Sequence, residues 1–304
     1  MHKYFFASSK RHGILLPKHL FPKRTSIILT IQNSMKLYIN LLLVTISSSM
    51  LFATCKKEGH DPKEAGLVPV SVEFDNIVGG QNLFLNTVNY TNNAGEQFNI
   101  SLLQYFISNI QLRKTDGTTY TVNPDSSYFL IKENDPTTRF ARFKAPAGDY
   151  NQLSFVVGVD SLRSTMDVSK RTGVLDPSGG HDDGMYWGWN SGYIFFKMEG
   201  ISPAAPLDPS GQRKFRYHIG GFGGFSAPTI NNIRTITIDL NTSGIAQART
   251  GRTANIHLMV DILKVFNGPT AVSIAANPTV MFSEYSRNIS ANYTSIFYHD
   301  HTEN

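Results

Sequence analysis

The chain has 304 residues, and 28 Lys or Arg against 23 Asp or Glu give it a formal charge of +5. All of that excess lies in residues 1–54, which hold seven basic residues and no acidic one; from Cys55 onward 21 basic residues face 23 acidic, no electrostatic footprint for nucleic acid. At 41% hydrophobic and 17% charged the chain is not disordered, and 12% aromatic residues with 24 glycines exclude a coiled coil and favour a β-rich globular body.

Around Met35 the sequence reads MKLYINLLLVTISSSMLFATCKKEG, a short basic start at Met35-Lys36 followed by an apolar stretch from Leu37 to Thr54, which is the anatomy of a secretory signal. It ends at Cys55, the only cysteine, in a setting that resembles a bacterial lipobox, so that Cys55 would open the mature protein and carry a lipid. Phe52 and Thr54 depart from the usual lipobox residues. The rival is an uncleaved membrane anchor, although the stretch is short and polar against the roughly 20 apolar residues that a span needs. The expected organisation is residues 1–34 as an upstream translation artefact, 35–54 as the signal peptide, 55–67 as a polar tether and 68–304 as one folded domain. With Cys55 spent on the anchor, the body has no cysteine for a disulfide or a thiolate metal site.

Beyond the tether, apolar residues alternate at period two in Val70, Val72 and Phe74, in Phe98, Ile100 and Leu102, and in Ile236, Ile238 and Leu240, each predicting a strand. Asp116-Gly117 between two such runs predicts a hairpin, because both residues tolerate positive φ. Further strands are predicted at 140–143, 152–157, 193–198, 215–218 and 255–266. The alternation breaks in LLQYF, which makes residues 101–108 the best helix candidate. The irregular stretch 158–184, rich in Asp and Gly, has the length of a functional loop. Nine or ten short strands with turn chemistry between them predict an all-β, antiparallel β-sandwich with little helix.

The segment HDDGMYWGWNSGYIFFKMEG, residues 181–200, holds both tryptophans, Trp187 and Trp189, on one face if extended, with Gly184, Gly188 and Gly192 between the aromatics. Two aromatics on one strand face also serve as core. The histidines from Cys55 onward are His60, His181, His218, His257, His299 and His301. His60 lies in the tether and reads as solvated. His257 shares the half-polar face of IHLMVDIL with Met259 and Asp261. His299-Asp300-His301 spaces two imidazoles suitably for a divalent ion, although a frayed tail is the competing expectation. Met185 and Met198 read as core filler. Asp182 and Asp183 suit either Ca²⁺, a solvated turn, or outer carboxylates that orient imidazoles around a metal.

The run GMYWGWNSGYIFFKMEG, together with RYHIGG, YFISNIQL, PAGDYNQLSFVVGVD and DILKVFNG, resembles the MbnP-like family of exported copper-binding proteins, in lipoproteins of the Bacteroidota type. The resemblance implies a periplasmic or surface β-sandwich at the outer membrane that binds copper. It also implies that a tryptophan, Trp187 or Trp189, is oxidised to kynurenine by a dihaem peroxidase-like partner and joins histidines as a copper ligand. His181 and His218 are the histidines nearest the family pattern, and His257 is added as a candidate ligand from its strand face. The four-cysteine pattern of the original subgroup is absent. No H-E-x-x-H, G-x-S-x-G or phosphate loop is present, so no enzyme is expected. The expected function is copper acquisition or storage by a lipid-anchored protein, with a TonB-type transporter as a further candidate partner. The alternatives are a glycan- or protein-binding module built on an aromatic platform of Trp187, Trp189, Tyr186 and Tyr193, and a structural envelope lipoprotein.

Overall fold

The computed structural model describes residues 66–177, 184–187 and 192–304. Sixteen strands form among them: β1 (Leu67–Val78), β2 (Gln81–Asn82), β3 (Tyr90–Thr91), β4 (Gln97–Lys114), β5 (Thr119–Thr121), β6 (Tyr128–Lys132), β7 (Phe140–Pro146), β8 (Gly148–Val157), β9 (Tyr186–Trp187), β10 (Gly192–Ile201), β11 (Lys214–Gly220), β12 (Arg234–Asp239), β13 (Ala246–Ala248), β14 (Ala254–Asp261), β15 (Thr279–Val280) and β16 (Phe297–Glu303). Helix is confined to α1 (Ser161–Thr165), α2 (Lys264–Asn267), α3 (Ser286–Asn292) and a few 3₁₀ turns. The predicted strand at 255–266 therefore ends at Asp261, and α2 follows.

The strands form two sheets. The smaller runs β16-β14-β1, with β7 and β2 sharing the far edge of β1; the larger runs β12-β8-β4-β10-β11-β15, with the short β13, β3, β5, β6 and β9 attached to it. The fold is all-β as expected, but its sheets are mixed: β1 pairs with β14 and β11 with β15 in parallel. The strict antiparallel arrangement was an extrapolation from hairpin signals, and a parallel partner far away in the chain leaves no turn to read.

The two sheets pack face to face. Phe74 of β1 meets Tyr105 and Phe155 edge-on at 6.3 and 5.6 Å, and Phe297 of β16 meets Phe155 at 5.1 Å. A second apolar cluster, with Phe106, Val159, Leu175, Met185, Tyr193, Phe195 and Phe222, covers part of the outer face of the large sheet. This second layer explains why residues 101–108 are strand and not helix. Residues 103–108 are all buried. Tyr105 and Ile107 face the intersheet core, and Phe106 faces the second cluster. A strand covered on both faces reads as a continuous apolar run. The Asp116-Gly117 hairpin forms as predicted, with Gly117 at φ +90° and β4 antiparallel to β5.

Candidate metal centre

Alternation along β10 and β11 sorts their residues onto two faces. Phe196, Met198, Phe215, Tyr217 and Ile219 enter the intersheet core, which leaves Lys197, Glu199, Arg216, His218 and Gly220 on the outer face. His218 stands opposite Lys197, and Glu199 opposite Arg216. Across that diagonal the His218 Nε2 and Glu199 Oε1 are 2.6 Å apart, with the His218 side chain only 13% exposed. The hydrogen bond with His218 is the main cause holding the Glu199 carboxyl below its ordinary range, against the opposing effect of burial.

The aromatic motif comes down on the same face. Trp187 of β9 pairs with Gly192 of β10. Its indole fills the space where Gly220 has no side chain: a Cβ there would lie 2.8 Å from the Trp187 Cζ3 and 2.4 Å from the carbonyl of Tyr193. Phe282 closes the indole edge-on at 6.3 Å. Lys197 donates to the Gly184 carbonyl at 3.4 Å. Gly184 and Trp187 thus touch two neighbours of His218: its partner across the strands and the residue two further along β11. Trp187 is half-buried, while Tyr193 and Met185 are fully buried. Tyr186 packs edge-on against Tyr193 at 5.0 Å and accepts a hydrogen bond from Arg171. A platform that includes Tyr193 as an exposed ring does not exist.

His257 belongs to the other sheet. It lies on β14, with Glu73 of β1 and His301 of β16 as its register partners. Among the described residues His257, Asp300 and His301 are the one group of three or more metal-ligating side chains whose donor atoms converge, all within 4.8 Å. His218 is not part of it. The tail 297–303 is not frayed but is strand β16, paired with β14. His60, His181, Asp182, Asp183, Trp189 and Cys55 lie outside the described residues. The sequence reading did not single out Glu199 as the partner of His218, nor Gly220 as the seat of Trp187. Both sit in the quoted segments FFKMEG and RYHIGG, but their pairing depends on strand register, which the segments do not reveal.

The MbnP family profile matches residues 68–282 of the chain. The chain belongs to the MbnP family. Trp187, Glu199, His218 and His257 fall inside the match, whereas Asp300 and His301 lie beyond it. A solved structure, MbnP from Methylosinus trichosporium, aligns at 18% identity with a TM-score of 0.49, covering 72% of this chain and 82% of that one. No curated protein matches the chain.

Proposed function

We propose that this MbnP-family chain is an exported, non-catalytic copper-binding protein, held in the cell envelope by a lipid on Cys55, that acts in copper acquisition or storage. The observation that carries the reading is the seat of the Trp187 indole on Gly220, two residues along the same face from a His218 whose Nε2 is held by Glu199. A carboxylate on one ring nitrogen sets the tautomer and orientation of a ligand imidazole, and with Nε2 donating, Nδ1 presents the lone pair. Imidazole serves copper in both oxidation states. With no cysteine after Cys55, the ion must be held by His, Met, carboxylate or Trp-derived groups. His218, His181 and a side chain derived from Trp187 or Trp189 would hold it, with Asp182 and Asp183 as outer carboxylates.

Kynurenine formation by a dihaem peroxidase-like partner is part of this proposal. Intact mass of protein from its native envelope tests it, since the conversion changes the mass by a small fixed amount, and unmodified tryptophan would remove that step. Copper binding itself is tested by thermal unfolding with added copper. The expected outcome is a rise in Tm for the full chain that is reduced in His218→Ala; a wild-type chain whose Tm does not respond overturns the reading.

A further inference from the structure

On the smaller sheet a different set of donors meets, two of its three members beyond the family match. Successive residues of a strand normally face opposite sides, yet Asp300 and His301 both face His257. The reason is a bulge: His257 pairs with His301 and Leu258 with His299, so Asp300 is an extra residue on β16. Such an insertion re-aims a side chain. Three atoms result in a closed triangle: His257 Nδ1 to His301 Nδ1 at 3.3 Å, His257 Nδ1 to Asp300 Oδ2 at 3.3 Å, and His301 Nδ1 to Asp300 Oδ2 at 2.8 Å.

The opposite nitrogens of both rings are also faced by carboxylates. Asp75 Oδ2 lies 3.7 Å from His257 Nε2, and Glu303 Oε1 lies 3.7 Å from His301 Nε2. Carboxylates there favour the Nε2–H tautomers, which turn both Nδ1 lone pairs inward. Two inward lone pairs and a carboxylate oxygen repel unless a proton or a cation lies among them. In a tetrahedral site with bonds of about 2.0–2.1 Å the ligand atoms are roughly 3.3 Å apart, so an ion standing about 1 Å off the plane of this triangle reaches all three at about 2 Å. The side chains are accessible, with His301 46% and Asp300 41% exposed.

We propose that His257, Asp300 and His301 form a second site, for a divalent borderline transition ion of the Zn²⁺ or Cu²⁺ class, whose remaining coordination is open to water and which clamps β16 to β14. It shares no residue with the His218 centre, so either stands or falls alone. The test is calorimetric titration of the full chain with zinc chloride, alongside thermal unfolding in its presence. The wild type and His218→Ala are expected to bind zinc equally and to gain Tm. His301→Ala and Asp300→Asn, both at exposed positions that leave the core intact, are expected to bind at least tenfold more weakly and to gain little. Equal zinc affinity in wild type and His301→Ala, or no zinc binding by the wild type, overturns the proposal and identifies a hydrogen-bonded cluster only. Loss of one copper equivalent in His218→Ala, with zinc binding retained, is the expected cross-result.

Discussion

Gly220 shows how a single missing side chain shapes the outer face of the large sheet. The indole of Trp187 and the carbonyl of Tyr193 both occupy the volume a Cβ would need. Gly220→Ala is therefore expected to push the indole off its seat and to destabilise the fold by about 1–3 kcal/mol, the usual cost of overpacking. Denaturant unfolding measures the loss, and a shift in tryptophan emission reports the displaced ring; unchanged stability would mean the strand yields instead. His218 itself was readable from RYHIGG, but its carboxylate partner was not. Glu199 lies 19 residues earlier in the chain, and the two meet only because β10 and β11 pair in one register.

At the scale of elements, side-chain anchors fix segments that carry little secondary structure. The Glu96 carboxylate, on the residue just before β4, accepts hydrogen bonds from the amides of Ile274 and Ala275 and from Ser273 and Asn92. Burial acts to raise its pKa, but these bonds, with the Ala275 amide first among them, together hold it below 4.5. A carboxyl with a depressed folded pKa stabilises most above its unfolded value and loses that contribution as pH falls through the folded one. Glu96→Gln is thus expected to cost about 2 kcal/mol at neutral pH, the scale of hydrogen bonds to a charged group. The gap between wild type and variant should narrow as unfolding is measured below pH 4.5; a gap that widens in acid would contradict the assignment.

The same scale separates what was legible from what was not. Strands with one solvated face, such as β12 with its alternating Ile236 and Ile238, announced themselves by period two. β4 and β10 did so only in part, since Tyr105, Phe106, Phe195 and Phe196 are buried on both faces and erase the alternation. β16 read as a frayed tail because FYHDHTE is polar. It is an edge strand, where charged and polar residues are normal, and Asn304 beyond it ties the chain end to Gln247 and Ile245.

For the molecule as a whole, the all-β class followed from composition, alternation and turn chemistry. The parallel pairing of β1 with β14 did not, because it joins segments far apart and depends on the packing of Val70, Val72 and Phe74 against the large sheet. The charge division at Cys55 belongs to this scale as well. If Cys55 carries the lipid, Cys55→Ser moves the protein from the membrane fraction of the cell envelope to the soluble one; unchanged membrane retention would favour an uncleaved anchor. The central claim is copper binding through His218 beside the tryptophan motif. It is tested most directly by copper content per chain in protein isolated from the envelope of copper-supplied cells. The wild type and His301→Ala are predicted to carry stoichiometric copper and the double variant His218→Ala with His301→Ala to carry almost none; a copper-free wild type, or undiminished copper in the double variant, would contradict the account.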